Sequence, residues 1–347
     1  MEMLTSMTLA SMWSTIINAF AGWIVNYGWA IIVFTIVLKL VLSPLDILQR
    51  VSSQKQARVM GAMQPELDEL KKKYADNPEK LNAEQNKVYQ KYNSNLKGMC
   101  LPMLISLVVT LVVFFTLYAG IRNLGNEKLY ETYRTLDQTY VTANAEVEET
   151  WSEDEKNEYI AVAVQDAYDE QTKENSWLWV KNVWKADTNT SEFVDFESYW
   201  NYLETNNLTE GSSKEDAQAR YDFITSTIIG DSRDNNGYFV LIILCALVSF
   251  LSQFISTKLL NSKGQKMNTM NKVMMAIIPI SMLIFAYTSN VVFTLYIVTN
   301  SLMTTIISTI ISLVIRHINK NKPDNEIVLK KKNVEIMEYS RNYNKNK

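Results

Sequence analysis

WAIIVFTIVLKLVLSPLDILQR, residues 29–50, decides the reading of this chain. From Trp29 to Leu42 the run is apolar apart from Thr35 and a single cation, Lys39. Such a run suits a helix in hydrocarbon, where placing a cation costs at least about 2.5 kcal/mol. At 100° per residue, Thr35, Lys39, Ser43, Asp46, Gln49 and Arg50 all fall on one arc of that helix, within about 120°. The other two thirds of its surface are Ile, Val, Leu, Phe and Pro, suited to lipid or to helix packing. Lys39 therefore faces protein or water. An ion pair with Asp46 is a weaker explanation than hydration, because seven residues of helix rise are about 10 Å, a long reach even for Lys.

Working outward, four more stretches approach spanning length, at 100–120, 238–259, 273–289 and 291–315, the fourth span (273–289) being short. The fold class expected is all-α: a polytopic membrane protein of five transmembrane helices, with a helical hairpin and a mostly helical insert. Polar residues recur in the later spans: Ser249, Ser252, Gln253 and Ser256 in the third, and Thr304, Ser308 and Ser312 every four residues in the fifth. Small hydroxyls also let helices pack closely, and for the Ser and Thr residues that plainer reading stays open. It does not account for Lys39, since a cation adds nothing to close packing.

Charge is split unevenly along the 347 residues. Residues 121–236 carry 10 Lys and Arg against 25 Asp and Glu, whereas the rest of the chain carries 24 against 12. The segment 50–97, the loop 258–272 and the tail 316–347 are all basic, and they fall on one side of the membrane if five spans alternate. Lys and Arg accumulate on the cytoplasmic side. That places the C-terminus in the cytoplasm, and the N-terminus and the acidic insert 121–236 outside. A groove that receives Lys39 then opens to the cytoplasm.

Between the first two spans, Met60, Met63, Leu67, Leu70 and Tyr74, then Leu81, Gln85, Val88 and Tyr92, repeat at helical spacing around Asp76-Asn77-Pro78. The pattern predicts two antiparallel helices, residues 50–97, with Pro78 opening the second. Lys71, Lys72 and Lys73 lie on its outer face, and Lys330, Lys331 and Lys332 form a second cluster in the basic tail 317–347. Either cluster is a solvated face or a contact for anionic lipid headgroups or ribosomal RNA. Residues 1–23 lack the basic start of a secretory signal peptide and read as an amphipathic helix at the outer interface, or else as an extension of the first span. The insert holds Trp151, Trp177, Trp179, Trp184 and Trp200, too aromatic for an acidic spacer. Ser152 and Glu155 form a capping-box pattern ahead of a helix to about Lys173, and an autonomous folded domain is expected.

Enzyme chemistry finds few tools. His317 is the only His, Cys100 and Cys245 are the only Cys, and no GxxxxGK[ST] phosphate loop occurs. No catalytic residue, metal site or cofactor is expected.

The chain resembles the YidC/Oxa1/Alb3 membrane protein insertases, in their five-span bacterial form. Leu38-Lys39-Leu40 with Leu42-Ser43-Pro44-Leu45, Met63-Gln64-Pro65-Glu66-Leu67 leading to Lys71-Lys72-Lys73-Tyr74, and Gly98-Met99-Cys100-Leu101-Pro102 carry the resemblance. Ile278-Pro279-Ile280 and Leu295-Tyr296 with Asn300 add to it in the last two spans (domain 237–316), while residues 24–120 hold the first two. Lys39 stands where the family usually has Arg. The resemblance implies an insertase and chaperone of the bacterial plasma membrane. Its groove, open to the cytoplasm, takes the polar part of a nascent membrane protein and releases the apolar part into lipid. Thr35, Lys39, Ser43, Asp46, Gln49, Ser249, Gln253, Ser256, Asn300, Thr304 and Ser308 are the candidate groove residues. Nascent membrane proteins, the ribosome, the Sec translocon and anionic lipids are the implied partners, and DNA is not. The alternatives are a transporter or channel with Lys39 as its intramembrane ion site, and a receptor whose exterior domain binds a ligand.

Overall fold

The computed structural model describes residues 2–24, 26–188, 194–209, 211–232, 236–260 and 269–319. Among these it has nine helices, α1 (Glu2–Ile24), α2 (Tyr27–Lys73), α3 (Pro78–Glu146), α4 (Glu153–Asn175), α5 (Phe196–Thr205), α6 (Lys214–Ser232), α7 (Val240–Leu260), α8 (Thr269–Thr288) and α9 (Val291–Asn319). The extended pairing described is one isolated bridge, Trp177 with Val180. The fold is all-α. Four helices, α2, α3, α7 and α9, are long and apolar enough to cross a membrane, and α8 carries the shorter apolar stretch Met275–Thr288.

Local signals hold where they were legible. Asn77 Oδ1 accepts from Lys80 N at 3.0 Å, so Asn77 caps α3 and Pro78 occupies its first position. Ser152 and Glu155 close a capping box at the start of α4. Helix continuity differs from the expected segmentation. α2 runs unbroken from the first span into the hairpin, and α3 from the hairpin through the second span into the insert. Pro44, Pro65 and Pro102 lie inside these helices without ending them.

The chain divides into two compact units. The first comprises residues up to 38, 113–250 and 277–301. Its larger core gathers Ile17 of α1, Ile31 and Phe34 of α2, Leu117, Ile121 and Leu124 of α3, Leu241 and Cys245 of α7, and Ala286 of α8. At its centre residues 291–299 of α9 are buried on every side, as expected of a helix apolar all round. α1 lies close against α3: a Cβ on Gly120 would stand 2.7 Å from Ala10 O, and Trp13 Nε1 donates to Thr116 Oγ1 at 3.0 Å. A second core, built from the end of α3 with α4, α5 and α6, centres on Tyr133, Leu136, Ile160, Tyr199, Trp200 and Ile224. Arg220 clasps Asp137 through two hydrogen bonds of 2.6 and 3.2 Å at its edge.

Not all of the insert belongs to that second core. Trp177, Val180, Val183 and Trp184 pack with the span residues of the first. The same stretch serves the starts of α7 and α9, whose first N–H groups have no partner within the helix, and holds the residue that caps α2. Val291 N and Val292 N of α9 donate to Lys185 O and Val183 O at 2.9 and 3.1 Å. Leu241 N of α7 donates to Asp187 Oδ2 at 2.6 Å. Asn26 caps α2, accepting from Gly28 N at 3.0 Å, and donates through Nδ2 to Ser176 O at 2.8 Å.

The second unit comprises residues 39–112, 251–276 and 302 onward. A narrow apolar seam of Val59, Met63 and Leu67, with Met60 and Val88 against it, joins the two hairpin helices, and Lys91 reaches Glu66 at 3.5 Å. Elsewhere this unit inverts the usual distribution. Lys39, Arg50, Gln54, Ser106, Thr257 and Ser312 are buried, while Leu40, Val41, Leu48, Leu101, Val108, Ile306 and Ile310 are exposed. Polar groups inside and aliphatic groups outside suit a bilayer as solvent.

Candidate functional site

Within the second unit the polar face of α2 meets the hydroxyls of α7 and α9. Arg50 is the hub. Only 6% exposed, it donates from Nε to Ser312 Oγ at 2.8 Å and from one terminal nitrogen to Ser256 Oγ at 3.0 Å. Its other terminal nitrogen reaches Ser256 O at 3.3 Å. Ser312 Oγ in turn donates to Ser308 O at 2.7 Å, and Ser308 Oγ donates to Thr305 O at 3.1 Å. Thr305 and Ser252 join their hydroxyls between α9 and α7. A planar fork with several donors suits this clasp, which a point-charge ammonium would fill only in part.

Lys39 lies at 8% exposure, with its Nζ 3.2 Å from Asp46 Oδ2. The ion pair, the weaker of the two explanations on sequence grounds, is thus formed. Seven residues return the helix to within about 20° of the same face, and the two side chains close the remaining distance by reaching toward one another. Pro44 interrupts the backbone ladder between them, since it has no N–H for Leu40 O. The Ser43 hydroxyl replaces that bond, donating to Leu40 O at 2.8 Å. Ser43 thus repairs the backbone, as hydroxyls beside proline do in membrane helices.

The other predicted residues are placed as follows. Gln49 accepts from Ser106 of α3 at 3.2 Å, tying the first two spans. Gln253, Thr304 and Ser308 are half-buried in the second unit. Thr35, Ser249 and Asn300 belong to the first unit: Thr35 is fully buried with its hydroxyl on Ile31 O at 2.6 Å, Ser249 is buried and Asn300 half-buried. Lys71, Lys72 and Lys73 are exposed on the hairpin, Lys71 standing 3.9 Å from Asp68. Lys330, Lys331 and Lys332 lie outside the described residues.

Sequence reasoning did not single out Gln54. It is 8% exposed, and its Nε2 is buried without a hydrogen-bond partner. Its position four residues beyond Arg50 on the same helix face was the available signal. A free donor one turn beyond the buried Arg50 gives this unit a group able to bind a carbonyl or carboxylate oxygen.

The model of the family described as 60Kd inner membrane protein matches residues 19–320. The chain belongs to this family, that of the YidC and Oxa1 proteins. Relatives named membrane protein insertase YidC match over shorter stretches. One from Chlorobium limicola is 38% identical over 101 residues, 29% of this chain and 17% of the relative. One from Caldanaerobacter subterraneus subsp. tengcongensis is 45% identical over 89 residues, 26% of this chain and 41% of the relative. One from Helicobacter pylori is 34% identical over 102 residues, 29% and 18%. The matched stretches span less than half the length of these relatives. Membership in the YidC/Oxa1 family, with its apolar helices, makes this a multi-pass bacterial membrane protein.

Proposed function

We propose that the chain is a membrane protein insertase and chaperone, with no reaction of its own to catalyse. The observation that carries this reading is the inverted second unit, where Lys39, Arg50 and Gln54 are buried and Asp46 is half-buried among helices whose outer surfaces are aliphatic. Hydrating or hydrogen-bonding a client's polar segment partway across lowers the cost of carrying it through hydrocarbon. The substrate groove runs along Lys39, Ser43, Asp46, Gln49, Gln253, Ser256, Thr304 and Ser308 of the second unit. With Lys39 balanced by Asp46, Arg50 supplies the net positive charge that favours acidic client segments. That same balance argues against a transporter or channel with Lys39 as an open anion site.

The C-terminus is cytoplasmic, and the N-terminus and acidic insert are outside, as the placement of Lys and Arg suggests. Lys71, Lys72 and Lys73, with the tail cluster, contact the ribosome or anionic lipid, and the Sec translocon is a further partner. Photo-crosslinkers at Gln49, Gln54 and Ser256 test the reading against a stalled nascent membrane protein. Crosslinks to the polar segment of the client are expected. Crosslinks confined to lipid at all three positions would sink the proposal.

A further inference from the structure

Two turns of the insert are joined edge to edge. Lys181 N donates to Asn236 O at 3.0 Å, and Asn182 N to Asn236 Oδ1 at 2.8 Å. In the first turn Trp177 and Val180 exchange both backbone hydrogen bonds, at 2.9 and 2.8 Å, leaving Leu178 and Trp179 at the tip. The second turn runs from Asn236 to Phe239 and leads into α7. Leu178 has φ 50°, and Tyr238 and Phe239 both have φ 60°. This left-handed region is costly for a bulky side chain and is normally left to glycine.

Burial offsets such a cost for Phe239, which packs against the larger core. It offsets nothing for the other two, because Leu178 is 64% exposed and Tyr238 is 62% exposed. Trp179, beside Leu178, is 39% exposed. Two linked turns therefore hold large apolar side chains outward in a backbone conformation that glycine would adopt more cheaply. In water both the exposure and the strain are unfavourable, and strain of this kind persists at functional contacts.

Their position identifies what they touch. Trp177, at the base of the first turn, lies on Gly28, where a Cβ would collide with the indole, and its ring is 5.5 Å from that of Trp29. From Trp29 an exposed row continues along α2 at four-residue steps, Trp29, Val33 and Val37. From Tyr238 a second exposed row continues along α7, Val240, Ile243 and Leu247. Both rows belong to helices apolar enough to cross a membrane. The turns therefore stand where a lipid-facing surface begins, the level at which Trp and Tyr settle between headgroups and acyl chains.

We propose that Leu178, Trp179 and Tyr238 form a lipid anchor, by which the insert embeds two turns in the interface of the leaflet nearest the starts of α2 and α7. The anchor would hold the segment 175–188 down on the helix starts it caps.

The full chain, with Cys100 and Cys245 replaced by Ala and an environment-sensitive fluorophore on Leu178→Cys or Tyr238→Cys, is reconstituted in phosphatidylcholine vesicles. A label on Asp154→Cys, exposed at the start of α4, is the reference. Nitroxide lipid labelled near the headgroup should quench the labels at 178 and 238 several-fold more than the reference, and aqueous iodide should do the reverse. Equal iodide access at all three sites would overturn the proposal. So would protection from both quenchers, which would indicate a protein occupant. Leu178→Gly separates anchoring from packing. In detergent it should melt no lower than the parent, since glycine accepts φ 50° freely, yet in vesicles it should raise iodide access at 238. A lower melting temperature with unchanged iodide access would assign Leu178 to packing alone and defeat the anchor.

Discussion

Lys39 and Asp46 share one face of α2, and their 3.2 Å ion pair changes what a substitution at either position tests. Removing the cation alone leaves a carboxylate in a site where its side chain is 18% exposed. That costs about 1–3 kcal/mol of stability, whatever the role in insertion. Lys39→Met should therefore lower the melting temperature in detergent and impair insertion of clients with acidic translocated segments. Lys39→Arg should preserve both. The double variant Lys39→Met with Asp46→Leu decides between roles, because it removes the buried charge mismatch. It should recover stability and, because Arg50 still supplies the net positive charge, recover insertion of acidic clients. Continued impairment with acidic clients, measured in proteoliposomes, would show that Lys39 acts on them through its own charge.

Helix starts carry unpaired N–H groups, and here one non-helical stretch supplies partners for α7 and α9 and holds Asn26, the cap of α2. Asp187 is fully buried with Oδ2 on Leu241 N, and burial raises its pKa from its ordinary value despite the backbone N–H groups that favour the anion. Asp187→Ala should cost about 1–2 kcal/mol, the usual loss for a helix N-cap. Amide exchange at Leu241 and Ile242 should quicken, while exchange in α4 to α6 stays as it was. Asp187→Asn keeps an acceptor for Leu241 N and should restore protection. Uniform quickening across the insert would show that the cap is not local to α7.

At the scale of the molecule, the two cores of the first unit are linked through residues that belong to neither helix set. Lys185 gives its carbonyl to α9, and its side chain lines a cavity of about 20 Å³ with Tyr133, Tyr168 and Asn182 beside the second core. Burial pushes its ammonium down to about 8. Its unfolded pKa is about 10.4, so between pH 8 and pH 10.4 the unfolded chain binds more protons than the folded one. Stability from this group should rise with pH across that window, by about 3 kcal/mol, and be absent below pH 8. Lys185→Met should flatten the difference between melting temperatures at pH 8 and pH 10. An unchanged slope in the variant would remove Lys185 from the account.

Periodicity and local chemistry determined much of this protein from its sequence alone. The spans, the hairpin seam through Met63 and Leu67, the cap at Asn77 and the box at Ser152 and Glu155 depend on residues a few positions apart, which a helix brings together without help from the rest of the fold. The polar stripe of α2 was legible for the same reason. What each polar group would bind was not. Arg50 meets Ser312 from 262 positions away and Ser256 from 206, separations that leave no periodic trace. Gln54, one turn beyond Arg50, became part of the site only when packing buried it. The segment 175–188 carries no helical pattern, and its tryptophans could equally have joined the core of the insert. Tertiary structure alone sent Trp177 and Trp184 to the span core, where the starts of α7 and α9 find hydrogen-bond partners in Asp187 and in the carbonyls of Val183 and Lys185, and where Asn26, the cap of α2, meets Ser176 O.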